Sequence, residues 1–130
     1  MRLFPTGSGA AVSTVLVVDD EPDQRFMLRR VFERAGHQVI DAGDGEAALK
    51  AVKQSPPDLV VTDIMMPVMD GVELIRRLRA DSDSQQIPIL SVSADWQLAV
   101  AADAVLAKPY QWKELFVVAE RLLAVGRGRR

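Results

Sequence analysis

Five polar residues in this 130-residue sequence stand where short apolar runs end, and their types suit phosphate chemistry: Asp19, Asp20, Asp63, Ser93 and Lys108. Carboxylates held together in a partly dry pocket raise one another's pKa, so a cation among them is needed to stabilise their charge. Mg²⁺ suits this role, because it prefers oxygen ligands and is commonly held by one or two carboxylates together with a phosphate oxygen. With the Lys108 ammonium added, the set predicts a site for a phosphoryl group.

The apolar runs before these residues predict the strands of a buried parallel sheet. They are continuously apolar, as strands covered on both faces are, and amphipathic stretches separate them in the pattern of repeated βα units. In an open parallel sheet, functional groups collect beyond the carboxyl ends of the strands, so we expect the five side chains to converge. The predicted strands are Val15–Val18, Val39–Ile40, Leu59–Thr62, Ile87–Val92 and Val105–Ala107.

Helices are predicted between the strands from apolar residues at helical spacing. The first begins near Pro22, stops at Gly36 and has on one face Met27, Leu28, Val31, Phe32 and Ala35. Helix four, over Asp95–Asp103, has room for roughly two or three turns and no clear apolar stripe, so it is predicted to be shortened or degenerate. His37, just beyond the first helix, is predicted to be a surface residue.

Length and composition bound the classes of function. The length suits one domain, with a flexible leader over residues 1–13, a folded domain over 14–125 and a basic tail over 126–130. The net charge of −2 argues against direct nucleic-acid binding by phosphate neutralisation. No apolar run approaches the ~20 residues that span a bilayer, so no membrane partner is expected. The absence of cysteine suits a reducing compartment, and a cytoplasmic location is predicted.

Four motifs in order resemble the receiver domain of two-component response regulators, over residues 14–125. They are Val17-Val18-Asp19-Asp20-Glu21, Asp63-Ile64-Met65-Met66-Pro67-Val68-Met69-Asp70-Gly71, Ser93-Ala94 and Lys108-Pro109. Each motif alone is common, whereas the four in this order are specific. The resemblance implies an α/β fold: a flavodoxin-like, doubly wound, five-stranded parallel sheet of strand order 2-1-3-4-5.

The resemblance also implies a role for each acidic residue. Asp63 is the expected phosphoacceptor, attacking a phosphohistidine or a small acyl phosphate to form an aspartyl phosphate. A bound Mg²⁺ or Mn²⁺ is expected to neutralise the charge that develops on phosphorus. Its expected ligands are three carboxylates and one backbone carbonyl, from Asp19, Asp20, Asp63 and Met65.

Other residues complete the implied site. Lys108 is expected to pair with a phosphoryl oxygen, and Ser93 to hydrogen-bond another. Pro109 is expected to follow a cis peptide bond that aims Lys108 into the site. Asp95 and Met65 flank the expected phosphate position, and they are expected to tune the hydrolysis of the aspartyl phosphate.

Taken singly, each motif has a simpler interpretation. Asp19 and Asp20 would then cap the first helix and complement its dipole. Asp63 and the Lys108–Pro109 pair would be turn residues, and Ser93 would be a helix cap. The occurrence of all four motifs at strand ends, in the expected order, favours the phosphoryl site.

The implied function is that of a stand-alone receiver in a phosphorelay. It takes phosphate from a histidine kinase or a histidine phosphotransfer protein and signals by contact with a protein that the sequence does not identify. One alternative is a pseudo-receiver scaffold that works without phosphorylation. Another, a phosphohydrolase, commonly has an Asp two residues after its nucleophile, where this chain has Met65. The chain is therefore not expected to be an enzyme beyond its own phosphorylation and dephosphorylation.

Two features depart from the family pattern. The interval from Ser93 to Lys108 is shorter than usual by roughly two helical turns, in line with a short helix four. Three residues before Lys108, where receivers usually carry a Tyr or Phe, stands Val105. Without that ring the usual coupling between hydroxyl and aromatic residue fails. We therefore expect any signal to leave by another surface, such as the first helix or the loop after Asp63.

Overall fold

A computed structural model gives the fold, and it describes residues 12–66, 68–94 and 101–125. Five parallel strands form one sheet in the order β2-β1-β3-β4-β5. The strands are β1 (Thr14–Val18), β2 (Gln38–Ala42), β3 (Leu59–Asp63), β4 (Ile89–Ser93) and β5 (Ala104–Ala107). The helices of the described residues are α1 (Pro22–Arg34), α2 (Gly45–Gln54), α3 (Gly71–Ala80) and α4 (Trp112–Val125). The predicted doubly wound fold and strand order are confirmed.

The two faces of the sheet bury separate hydrophobic cores, because successive strand side chains point to opposite faces. Val60 packs with α2 and α3 on one face, and Val61 packs with α1 and α4 on the other. Every residue of β3 and β4 is buried. This burial on both faces explains why the strands read as continuous apolar runs.

Several sequence-based boundaries and burials differ from the structure. The fourth strand begins at Ile89 and not at Ile87, because Pro88 lacks an N–H for the ladder and offers only its carbonyl, which accepts from Val60 N at 3.0 Å. Met27 is 63% exposed, since α1 centres Leu28 and Phe32 on the sheet and turns Met27 to the side.

His37 corrects a second expectation, because it is not a surface residue. Its side chain is 9% exposed, and its Nε2 lies 2.7 Å from Glu120 Oε2 on α4. Its Nδ1 accepts a hydrogen bond from the backbone N–H of Ser13 at 3.3 Å. His37 therefore links the chain before β1 to the last helix.

The predicted helix four falls largely on residues 95–100, which lie outside the described residues. The part that is described, Ala101–Asp103, is not helical, and β5 follows at once. Residues 1–11 of the predicted leader and the tail at 126–130 also lie outside the described part. None of the helices described is long and apolar enough to cross a membrane.

Candidate functional site

Three carboxylates meet at the carboxyl edge of the sheet. Asp19 directly follows β1, and Asp63 is the last residue of β3; these strands are neighbours, with Val18 paired to Thr62. Asp19 is 2% exposed and Asp63 is 9% exposed, whereas Asp20 lies open to solvent. One carboxylate oxygen of each residue lies within 4.8 Å of the others. The structure thus brings together the three acids that the motifs single out.

The electrostatics of Asp19 show what this cluster requires. Burial raises the pKa of the Asp19 carboxyl above its ordinary value, and the nearby charge of Asp63 adds to the increase. A hydrogen bond of 2.9 Å from the Glu21 backbone N–H to Asp19 Oδ1 opposes it. Glu21 is the N-cap residue of α1, and its own side chain makes no capping hydrogen bond. Asp19 therefore does not have the helix-capping role of the simpler interpretation.

Asp63 is held in place by its own loop. Its Oδ1 accepts from the Ile64 N–H at 2.8 Å, and its carbonyl accepts from the Thr62 hydroxyl at 2.8 Å. Gly71 N donates to Ile64 O at 2.8 Å, and a Cβ at Gly71 would lie 2.3 Å from the Asp63 carbonyl oxygen. Because no side chain fits there, glycine is needed for α3 to begin beside the acid.

Lys108 supplies the positive charge. Its Nζ lies 3.6 Å from Asp63 Oδ2, and its side chain is 30% exposed. Its backbone N–H donates to Ser93 O at 3.0 Å, which continues the pairing of β4 with β5 to the edge of the site. The Lys108–Pro109 peptide bond is cis.

The remaining predicted site residues are placed as follows. Ser93 ends β4 and is fully buried. Met65 lies in the loop after β3 and is 63% exposed, while Val105 on the edge strand is 37% exposed. Asp95 lies outside the described residues. The roles given to these residues stay predictions.

Two residues near the acids were missed by the sequence reasoning. Arg25, near the start of α1, donates a hydrogen bond of 2.7 Å from its Nη1 to the Asp19 carbonyl. Tyr110 is half-buried, and its pKa is raised by burial and then by the charges of Asp19 and Asp63. It lines a cleft of about 960 Å³ between α1 and α4. The sequence could have pointed to Tyr110, because it stands two residues after Lys108. It could not have pointed to Arg25, because the contact of Arg25 with Asp19 depends on how α1 leaves β1.

The donor set fits a hard divalent cation. All three clustered groups are oxygen ligands, two of them are nearly buried, and the Lys108 ammonium lies 3.6 Å from one of them, Asp63. One ammonium does not neutralise the repulsion among three carboxylates. A divalent cation such as Mg²⁺ would do so.

Comparison with known proteins identifies the family. The family model of the response regulator receiver domain matches residues 15–120. The chain belongs to the response regulator receiver domain family. Receiver domains bind Mg²⁺ at a cluster of aspartates and are phosphorylated on an aspartate in two-component signalling. The receiver motifs at strand ends therefore identified the family correctly.

Three relatives illustrate the range of proteins that carry this domain. The receiver is 38% identical to PhoP of Bacillus subtilis, an alkaline phosphatase synthesis transcriptional regulatory protein, over 78% of the chain and 44% of PhoP. It is 36% identical to the sensor histidine kinase TmoS of Ectopseudomonas mendocina, over 94% of the chain and 14% of TmoS. TrrA of Thermotoga maritima, solved in complex with Mg²⁺-BeF, matches with a TM-score of 0.78 and 30% identity, over 85% of the chain and 99% of TrrA. The chain spans less than half the length of the first curated relatives.

Proposed function

We propose that this receiver accepts a phosphoryl group on Asp63 in a reaction that depends on Mg²⁺, with Mn²⁺ as a substitute. The observation that carries the proposal is the meeting of three carboxylates within 4.8 Å, with Lys108 Nζ 3.6 Å from Asp63. Such a site has a nucleophile, oxygen ligands for a cation and a positive charge for a phosphoryl oxygen. The proposed metal ligands are Asp19, Asp20, Asp63 and the Met65 carbonyl.

The proposed reaction transfers the phosphoryl group from a phosphohistidine to Asp63. An Asp63 carboxylate oxygen attacks phosphorus, an O–P bond forms, and the P–N bond of phosphohistidine breaks, with the leaving imidazole taking up a proton from solvent. A metal bound at the cluster would neutralise charge on the phosphoryl oxygens. Lys108 would leave its partner and pair with one of these oxygens, while the Ser93 hydroxyl would donate to another.

The donor that we propose is a histidine kinase or a histidine phosphotransfer protein. Receiver domains interact with histidine kinases, and TmoS shows that one relative is itself such a kinase. We further propose that the receiver acts alone, by contact with a downstream protein. The solved chain of TrrA has a similar extent, since the match covers 99% of it. The net charge of −2 argues against direct contact with nucleic acid.

The test is the intact mass of the protein after incubation with a small acyl phosphate, with and without Mg²⁺. We expect one phosphoryl addition to the wild type that needs the metal, and none to Asp63→Asn, which keeps the shape of the side chain but lacks a nucleophilic oxygen. An addition that persists in Asp63→Asn would place the acceptor elsewhere. No addition to folded wild type, with Mg²⁺ bound, would favour the pseudo-receiver scaffold.

Two further expectations accompany the proposal. With Met65 two residues after Asp63, no acid or base stands where phosphohydrolases have one, so we expect no turnover of a generic phosphate ester. The cytoplasmic location stays a prediction.

A further inference from the structure

A basic pocket lies between α2 and α3. It has a volume of about 370 Å³ and is lined by Leu49, Lys50, Lys53, Arg77 and Asp81. Its charged lining residues are three cations and one carboxylate, although the whole chain has a net charge of −2. Positive charge is therefore concentrated at this pocket.

The pocket is remote from the carboxylates at the edge of the sheet. Each helix follows one parallel strand and leads to the next, so it runs back toward the amino ends of the strands. Lys50 and Lys53 lie in the second half of α2, Arg77 lies in the second half of α3, and Asp81 follows α3. These charges therefore face away from the edge that carries Asp63.

Helix stability explains only part of the positive charge on α2. A cation in the last turn complements the helix dipole, which accounts for Lys53. Lys50 stands one turn earlier, and Glu46, four residues before it, forms no ion pair with it. Both lysines are exposed, and neither has an ion-pair partner within the described part of the chain. Both ammonium groups are therefore available to an anion.

On α3, two arginines share one acid. Arg76 Nη2 lies 2.7 Å from Glu73 Oε2, and Arg77 Nε lies 2.8 Å from the same oxygen. These hydrogen bonds lower the pKa of Glu73 to about 2. One carboxylate cannot neutralise two guanidinium groups, so Arg77 keeps positive charge for a further anion.

Two residues distinguish the pocket from a flat basic surface. Leu49 is partly buried and packs on the hydrophobic core under α2 and α3, so it provides an apolar wall. The Asp81 carboxylate is held in place, since its Oδ1 accepts a hydrogen bond of 2.9 Å from the Asp83 N–H. A carboxylate accepts several hydrogen bonds, so Asp81 can also accept one from a ligand. The volume lies in the range of pockets that bind small molecules.

We propose that this pocket binds a small phosphorylated molecule that also carries hydroxyl groups, such as a sugar phosphate or glycerol phosphate. Lys50, Lys53 and Arg77 would hold the phosphate, and Asp81 would accept a hydrogen bond from a hydroxyl. Asp81 repels a plain anion, whereas a ligand with both groups suits all four charged residues. The proposal does not depend on the function of Asp63, because the two sites lie at opposite ends of the strands.

The test is a titration of the isotope-labelled protein with glycerol phosphate, followed by the chemical shifts of its backbone amides. Propyl phosphate is the matched ligand, because it is a phosphate ester of similar size without free hydroxyls. Ionic strength is held constant and divalent metal is left out, so that the carboxylates at the edge of the sheet repel both ligands. We expect saturable shifts in the second halves of α2 and α3, with a lower Kd for glycerol phosphate than for propyl phosphate.

Variants separate the parts of the pocket. Lys50→Gln and Lys53→Gln should each raise the Kd for glycerol phosphate about fivefold. Lys113→Gln is the matched control, since Lys113 is exposed on α4, which packs on the other face of the sheet; its Kd should stay within about twofold of wild type. Asp81→Asn should tighten the binding of propyl phosphate and remove the preference for glycerol phosphate.

Several results would overturn the proposal. These are shifts that do not saturate, shifts centred outside α2 and α3, or an equal loss in Lys113→Gln. Equal affinity of the wild type for the two esters would remove the role of Asp81 and the hydroxyl with it. Sedimentation of the protein with vesicles of anionic phospholipid, lost in Lys50→Gln, would assign these cations to a membrane surface instead.

Discussion

At the scale of single residues, Asp19 shows how the site trades stability for function. Its carboxylate is nearly buried beside Asp63, and burial raises its pKa above the usual value near 3.8. The folded state therefore binds more protons than the unfolded state between those two values, and unfolding free energy falls as pH rises through that window. At neutral pH the ionised, buried carboxylate therefore lowers the free energy of unfolding.

Asp19→Asn should remove that cost, because the amide keeps an oxygen acceptor for the Glu21 N–H and carries no charge. Without metal at pH 7, we expect the variant to be more stable than wild type by about 1 kcal/mol, or about 3 °C in unfolding midpoint. The advantage should shrink as pH falls below the raised pKa, and added Mg²⁺ should stabilise only the wild type. Asp23→Asn, an exposed change in the first turn of α1, is the control; thermal unfolding that shows Asp19→Asn less stable than wild type would contradict the argument.

At the scale of elements, a guanidinium ties α3 to the strands at the edge of the sheet. Arg79 Nη1 donates to Gln85 O at 2.9 Å and to Ile87 O at 2.8 Å, while its Nη2 lies 2.6 Å from Asp103 Oδ2. The same Asp103 oxygen accepts from the Ile89 N–H at 2.7 Å. One side chain therefore fixes the starts of β4 and β5 against α3.

Arg79→Lys should destabilise the fold, since a lysine ammonium lacks the planar fork that reaches two carbonyls and a carboxylate together. We expect a loss of about 1–2 kcal/mol in unfolding free energy, measured by urea denaturation. Arg76→Lys is the matched control on the same helix, because Arg76 is exposed and its ion pair within the described residues is with Glu73, so its loss should stay below about 0.5 kcal/mol. Equal losses for both variants would show that the fork is unimportant.

At the scale of the whole molecule, Lys108, directly after β5, links the edge strand to Asp63, whereas Val105 offers only a small side chain for coupling to the acid site. Val105 is small and 37% exposed, and it pairs in register with Ser91, whose buried hydroxyl has no hydrogen-bond partner among the described residues. The loop after β3 begins directly at Asp63, and α1 begins three residues after Asp19.

Phosphorylation should therefore protect amides in α1 and in the β3–α3 loop more than in β5. The measurement is amide hydrogen exchange with and without acyl phosphate and Mg²⁺, with Asp63→Asn treated alike as the control. Protection confined to β5 and the segment between β4 and β5 would show that the signal leaves by the edge of the sheet despite Val105.

Local pattern determined much of this protein from sequence alone. The strands and the acids at their ends could be predicted, because burial on both faces leaves apolar runs and parallel strands bring their carboxyl ends to one edge. The strand order followed from the resemblance to receiver domains. The motifs were specific enough to identify the receiver family.

What only the tertiary structure decided depends on groups far apart in the chain. The burial of Asp19, the 3.6 Å between Lys108 and Asp63, and the pairing of His37 with Glu120 follow from how helices settle on the sheet. Sequence periodicity gives the face of a helix but not its rotation by a fraction of a turn, so Met27, grouped with the apolar face of the first helix, lies 63% exposed. The left-handed conformation of Val68, next to the residue that packs against Gly45 of α2, was likewise hidden.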